Sequence, residues 1–253
     1  MTTQEAIDIC PDIQIVTAKQ ISKHIGHNVF SKISDQMFDK IRKYRRNIII
    51  EKTSIDDFFI DLTDICEEYE KLRESQRYDQ TFLRKLDVVV EGSLRQFRFG
   101  DNQSFLNSKW AEAAVVVTDI CDQIRDQTGL ICSAGISVNK LLAEIVCKYD
   151  KPNTISMIVS KPAIARLFRE WPFRACHGFG GKFGQEVEDS LKISTLMDLR
   201  GFRRKFLKRN FGETKGAFLW NVCRGIDLDY VEHKTRNNEE IIGRKRTYIR
   251  GFY

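Results

Sequence analysis

The chain has 253 residues, 42% of them hydrophobic and 30% charged, and a net charge of +6. That balance describes a folded globular chain and excludes a disordered one, and no apolar run approaches the ~20 residues that span a bilayer. Seven Cys without a Cys-x-x-Cys and four scattered His read as reduced intracellular thiols and argue against a zinc site.

The opening residues lack the basic start and long apolar core of a signal peptide. A short helix is expected over 3–9, ending before Cys10-Pro11, because a proline disfavours helix in the residue before it. Ile13-Gln14-Ile15-Val16 alternates and suits a strand. A helix over 29–44 carries one apolar stripe of Phe30, Ile33, Met37, Phe38 and Ile41. Ile48-Ile49-Ile50 and Phe58-Phe59-Ile60 then read as buried strands, close enough together to form a hairpin. Between them stand Asp56 and Asp57, with Lys52 as the only base nearby. Acids held together repel, and a divalent cation relieves that repulsion through carboxylate oxygens; the same pair also suits a surface turn with two solvated acids.

Residues 63–76 are helical in character. The stretch 77–105, with Val88-Val89-Val90 and Phe97, Phe99 and Phe105 among Arg, Gly and Asn, reads as a variable loop region. A helix over 107–128 keeps Trp110, Ala114, Val117, Cys121 and Ile124 on helical spacing, with Gly129 as its C-cap. Ile131–Ile136 is a compact strand of small residues on which another element packs closely. Ser137 is placed to cap a helix over 138–149 with Leu141, Leu142, Ile145 and Val146 on its apolar face. After Lys151-Pro152-Asn153 comes a strand over Thr154–Val159. Strands mixed with helices in this order suit an α+β sandwich.

Past 160 strands give way to short helices alternating with Gly. Between 161 and 225 fourteen Lys/Arg stand against six Asp/Glu, a balance of +8, leaving the remainder at about −2. That asymmetry points to a partner with phosphates. Cys176–Gly184 is Gly-dense and leads into a helix over 185–191. Gly lets backbone N–H groups approach an anion, and a helix N-terminus adds positive potential; a tight helix–helix turn has the same composition. Arg203, Arg204, Lys205, Lys208 and Arg209 are interleaved with Phe202, Phe206 and Phe211. This is either a solvated helix face or a surface that tracks a nucleic-acid backbone, and the local charge excess favours the second. Residues 231–253 are polar and basic with no visible core.

Together these motifs resemble the Y-family of translesion DNA polymerases. Ser54-Ile55-Asp56-Asp57-Phe58-Phe59-Ile60-Asp61-Leu62 looks like the family's palm motif. Cys132–Ser137, Asn139–Ala143 and Lys151-Pro152-Asn153 resemble its second palm signature. Gly178-Phe179-Gly180-Gly181-Lys182-Phe183-Gly184 is similar to its thumb helix-hairpin-helix. Cys223–Asp227 resembles the end of the thumb, and Cys10-Pro11-Asp12 the return from fingers to palm. The Gly-Gly-Lys hairpin and the Cys-Ser-Ala-Gly-Ile-Ser run are closest to the eta-like branch.

The resemblance implies an α+β fold: a remnant of fingers over 1–11, a palm (mixed sheet with helices) over 12–160, and a small all-α helix-hairpin-helix thumb over 161–230. Residues 231–253 would be a linker toward a little-finger domain. It implies two Mg²⁺ ions held by Asp56 and Asp57 as catalytic residues, and Lys151 at the triphosphate of an incoming deoxynucleotide. Primer-template DNA would be bound by Gly178, Gly180, Gly181, Lys182 and Gly184 together with Arg203, Arg204, Lys205, Lys208 and Arg209. The implied function is nuclear template-directed synthesis across damaged bases, with no membrane partner and a sliding clamp contacted through regions outside this chain. Three departures stand out. The second acid is Asp where the family usually has Glu. Glu144 stands where the family often has a base. The opening Asp-x-Asp-x-Phe-Phe strand and most of the fingers are missing, so the chain reads as a truncated form. A non-catalytic DNA-binding protein that keeps palm and thumb is the alternative, and a palm-type nucleotidyl cyclase or transferase is a third reading, disfavoured by the helix-hairpin-helix.

Overall fold

The computed structural model describes residues 3–15, 27–46, 48–74, 109–149, 151–232 and 248–250. They form a mixed α/β fold with ten α-helices and one five-stranded sheet. The sequence-derived loop region 77–105 lies outside the described residues.

After α1 (Thr3–Ile9) and α2 (His27–Tyr44), β1 (Ile49–Lys52) and β2 (Phe58–Asp61) pair antiparallel. Helices α3 (Thr63–Glu74) and α4 (Lys109–Thr128) lead to β3 (Ala134–Ser137), α5 (Lys140–Tyr149) and β4 (Ile155–Ile158), with β3 and β4 parallel. The sheet order is β1-β2-β5-β3-β4, where β5 is Tyr248–Arg250, antiparallel to both its neighbours. Residues 248–250, within the segment read as polar, basic and without a visible core, thus supply the central strand. Its register aligns Glu51, Phe59, Arg250, Gly135 and Ser156 in one row across the sheet.

Strand alternation divides the sheet into two faces. Phe58, Ile60, Ala134, Ile136 and Met157 are buried with Met37 and Ile41 of α2 and Val117 and Ile120 of α4 in one core. The opposite face, with Phe59 and Gly135, is covered by α5. A Cβ on Gly135 would meet the Ala143 carbonyl oxygen at 2.0 Å, so only glycine lets α5 lie this close to β3. The expected cap is corrected here. Ser137 is buried and donates its hydroxyl to the Ile158 carbonyl, while Asn139 Oδ1 accepts the Leu142 amide at 2.9 Å and starts α5. A serine that ends a strand spends its hydroxyl on the neighbouring strand. The expected strand at 13–16 does not form over 13–15; Ile13 and Ile15 are exposed, and no element among the described residues covers them.

The outer face of α5 (Leu142, Ile145, Val146) joins a second core, built from the helices that follow. These are α6 (Lys161–Glu170), a 3₁₀ turn (Phe173–Ala175), α7 (Lys182–Leu191), α8 (Leu196–Arg200), α9 (Arg204–Phe211) and α10 (Glu213–Val222). Ser160 caps α6 and has Pro162 in the first turn behind it, the arrangement that starts helices well. The core is aromatic: Phe173 and Phe179 sit 4.5 Å apart, and Phe179 also stacks on Phe218 at 5.4 Å. Six of the seven free thiols are buried. Burial pushes the Cys132 and Cys176 thiols up to about 12, which favours their protonated form.

Candidate active site and nucleic-acid interface

The turn between β1 and β2 is organised by Ser54. Its Oγ accepts the amides of Asp57 at 3.0 Å and Asp56 at 3.3 Å, and donates to Asp56 Oδ1 at 2.6 Å. The Asp57 carbonyl accepts the Thr53 amide at 3.0 Å and the Thr53 hydroxyl at 3.1 Å. The result is a hairpin that holds two consecutive acids in different environments: Asp56 half-buried, Asp57 buried. Lys52, the nearby base in the sequence, pairs instead with Asp35 of α2 at 2.8 Å.

Lys151 lies in the connection between α5 and β4. Because Phe59 and Ser156 share a row, the residues just before β2 and just before β4 emerge at the same end of the sheet. The topology therefore brings Asp56, Asp57 and Lys151 to one edge.

A cleft of about 640 Å³ separates this sheet from the helical region. Glu51, Thr53 and Phe59 line one wall, Lys140 and Glu144 of α5 the floor, and His177, Phe218 and Asn221 the other wall. The cleft is spanned by polar contacts that sequence reading missed. Lys140 Nζ donates to Glu51 Oε2 and to the Tyr230 carbonyl, each at 2.9 Å, in an ion pair with side chains 12% and 5% exposed. Asn139 Nδ2 donates to the Gly225 carbonyl at 2.7 Å, and the Leu141 amide donates to Asp227 Oδ2 at 3.0 Å. The Glu232 amide donates to Glu51 Oε2 at 3.3 Å, and Val231 is buried with Phe59 and Ala143. The segment leaving α10 is thereby strapped across the sheet face beside the carboxylate hairpin. Burial raises the Asp227 carboxyl above the ordinary range, although the Asp229 and Leu141 amides both donate to it.

Glu51, Glu144, Asp227 and Asp229 put four carboxylates into the cleft lining against Lys140 and His177. Glu144 is held by Lys148 at 2.8 Å and lies 3.7 Å from His177 Nδ1.

His177 leads directly into the glycine hairpin before α7. Arg174 staples it from behind, donating from Nε to the Phe179 carbonyl at 2.8 Å and from Nη2 to the Gly180 carbonyl at 2.7 Å, while pairing with Glu188 at 3.4 Å. With its carbonyls drawn inward, the hairpin presents Gly178, Gly180, Gly181 and Lys182 to solvent. Gly181 is the N-cap of α7 and has no side-chain acceptor for the first amides, which suits an anion. Gly184 has a different role from its neighbours. It is buried, and a Cβ there would meet the Phe179 carbonyl oxygen at 1.7 Å, so it lets the hairpin fold back on the helix.

Of the five cations over 203–209, two are engaged within the fold. Arg204 lies over the Trp220 ring at 5.4 Å, and Lys208 pairs with Glu213. Arg203, Lys205 and Arg209 are exposed and make no ion pair among the described residues.

Among the described residues no helix is long and apolar enough to cross a membrane. Residues 1–148 match the impB/mucB/samB family, and residues 171–226 match the DNA polymerase eta/Rev1 helix-hairpin-helix motif. The chain is 24% identical to DNA polymerase eta of Drosophila melanogaster over 91% of its own length and 29% of that relative's. It is 27% identical to DNA polymerase eta of Arabidopsis thaliana over 92% of its length and 36% of that relative's. To DNA polymerase IV of Streptococcus pyogenes it is 30% identical over 73% of its length and 49% of that relative's. The chain thus spans about a third to a half of the relatives it matches. With more than half its residues inside the family model and a helix-hairpin-helix of the matching kind behind it, the chain belongs to the impB/mucB/samB family, the Y-family of DNA polymerases.

Proposed function

We propose that this chain carries the nucleotidyl-transfer and duplex-holding parts of a translesion DNA polymerase of the eta branch, acting in the nucleus on primer-template DNA and deoxynucleoside triphosphates. Residues 12–160 serve as palm and 161–230 as thumb. The observation that supports this reading is that Thr53, at the start of the carboxylate hairpin, and His177, just before the glycine hairpin, line one cleft.

Asp56 and Asp57 fit Mg²⁺ in kind. They are hard oxygen donors on consecutive residues, and Mg²⁺ is commonly held by one or two carboxylates with water and substrate phosphates completing the shell. Among the described residues no group of three or more His, Cys, Asp or Glu is arranged to hold a metal ion, and this reading gives the ions Asp56 and Asp57 as their protein donors. Bound there, two divalent ions would neutralise charge on the attacking and leaving oxygens of phosphoryl transfer. The chain's own residues do the positioning. Ser54 orients Asp56 through its short hydrogen bond. Lys151, at the same sheet edge, supplies positive charge to the triphosphate. The exposed amides at Gly180–Lys182 bind phosphates of the duplex without reading sequence. The acid-lined floor of the cleft disfavours phosphates, so the duplex is held at the hairpin rim.

The test is primer extension across a damaged template base in Mg²⁺ and in Mn²⁺, comparing the chain with Asp56→Ala. Extension is expected to fall at least a hundredfold in the variant. Equal extension by both proteins would remove Asp56 from the site. Salt-dependent duplex binding without extension by either would assign the chain to DNA binding alone.

A further inference from the structure

The outward face of α9 is left unexplained by the cleft. Thr214, Ala217, Phe218 and Asn221 of α10 line the cleft on one helical face. Gly216, on the opposite face, backs directly onto Leu207 and Lys208 of α9. Helix α9 therefore lies across α10 from the cleft, and with Leu207 buried inward its residues at 205, 206 and 209 lie away from Leu207, with Phe202 just before the helix.

That face combines two features. Phe202 and Phe206 stack at 5.5 Å with an interplanar angle of 22°. Phe202 is packed against the core while Phe206 is 44% exposed, so the outer ring is a preset, rigid platform. Around it stand Arg203, Lys205 and Arg209, exposed and without an acid partner among the described residues. The remaining cations of the helix are turned onto Trp220 and Glu213. An exposed aromatic ring with unneutralised cations on both sides is the arrangement that takes a single-stranded nucleic acid: a base stacks on the ring and the flanking phosphates meet the cations. A duplex keeps its bases stacked on each other and offers nothing to Phe206.

We infer that the α9 face is a second nucleic-acid surface, separate from the glycine hairpin, that binds single-stranded nucleic acid through Phe206, Arg203, Lys205 and Arg209. This rests on the reading of the chain as a DNA-binding protein but needs no nucleotidyl transfer.

The experiment compares binding of a fluorescent oligo-dT and of a blunt duplex by the full chain and by Phe206→Ala, Phe206→Trp and the double variant Lys205→Glu/Arg209→Glu, with unchanged thermal melts as the folding control. Phe206→Ala is expected to weaken oligo-dT binding about tenfold, and Phe206→Trp to retain it. The charge reversal is expected to weaken it further and to lower the salt slope by about 1.4. Duplex affinity is expected to stay within about twofold in both Phe206 variants and to fall less than oligo-dT affinity on charge reversal. A parallel loss of duplex affinity would overturn the inference by making α9 part of the duplex grip. Loss on charge reversal with no effect of Phe206→Ala would also overturn it, and would point to an acidic protein partner. Duplex binding with no oligo-dT binding would refute this surface alone, while failure of both ligands would refute the DNA-binding reading itself.

Discussion

The turns at residues 53–57 and 176–181 reach one cleft through Thr53 and His177, yet they are built in opposite ways. The first is organised by a side chain: the Ser54 hydroxyl accepts the amides of Asp56 and Asp57 and donates to the Asp56 carboxylate. The second presents backbone: Arg174 draws the carbonyls inward and leaves amides at the mouth. A site made of side chains is selective for hard cations and is lost by one substitution. A site made of amides is indifferent to base sequence and depends on the support behind it. The comparison suggests that the two rims fail differently, and substitutions can separate them.

The largest effect is expected where the carboxylate rim rests on the strap. Glu51→Ala strands Lys140 in a nearly buried position and removes the acceptor of the Glu232 amide. Breaking such a pair from one side costs about 3–5 kcal/mol, measurable by urea unfolding, and Glu51→Gln should cost less. Next is Arg174→Ala, which frees two hairpin carbonyls. A loss of about 2 kcal/mol and about tenfold in duplex affinity is expected, with Arg174→Lys failing to restore it because the planar fork is gone. Ser54→Ala should show the converse: about 1 kcal/mol of stability lost, extension reduced, and duplex affinity unchanged by fluorescence anisotropy. Were Ser54→Ala to weaken duplex binding as much as Arg174→Ala does, the division between the rims would be wrong.

The smallest effect concerns the helical region alone. Asp198 forms a capping box with Thr195 and accepts the amides of Ser194 and Thr195, and these hold its carboxyl below the usual range. A depressed carboxyl stabilises the fold above its unfolded value, near 4, and that contribution is lost as pH falls through its lower folded value. Asp198→Ala should therefore cost about 1 kcal/mol at pH 7. The two thermal melts should converge as the solution is made more acidic than about pH 4.

Much of this was legible locally. The β1–β2 hairpin, the α2 stripe through Met37 and Ile41, and the close packing on the small residues near Gly135 all follow from short-range pattern. The two acids and the glycine run were visible for the same reason, since each is a contiguous motif. What escaped were pairs joined only by the fold. Glu51 and Lys140 are far apart in sequence and have no mutual signal until a sheet and a helix are stacked. Arg174 looks like any base in a basic region until its fork is seen on the hairpin carbonyls. The division of the 203–209 cations was equally hidden, because helical period alone does not say that Trp220 waits under Arg204. Ser137 shows a local rule losing to tertiary demand, with a good cap residue spent instead on a neighbouring strand.

The position of β5 has a consequence for how the molecule is made. Tyr248–Arg250 is the only strand joining the β1–β2 hairpin to the β3–β4 pair among the described residues. Its partners in β2, Phe59–Asp61, lie far earlier in the chain. During synthesis the two half-sheets leave the ribosome first, each with an unpaired inner edge, and such edges invite pairing with other chains. Closure waits for β5 and carries the loop-closure entropy of a very long separation. Refolding of this chain should accordingly be slow and concentration-sensitive, with the helical region gaining protection from hydrogen exchange before the centre of the sheet does.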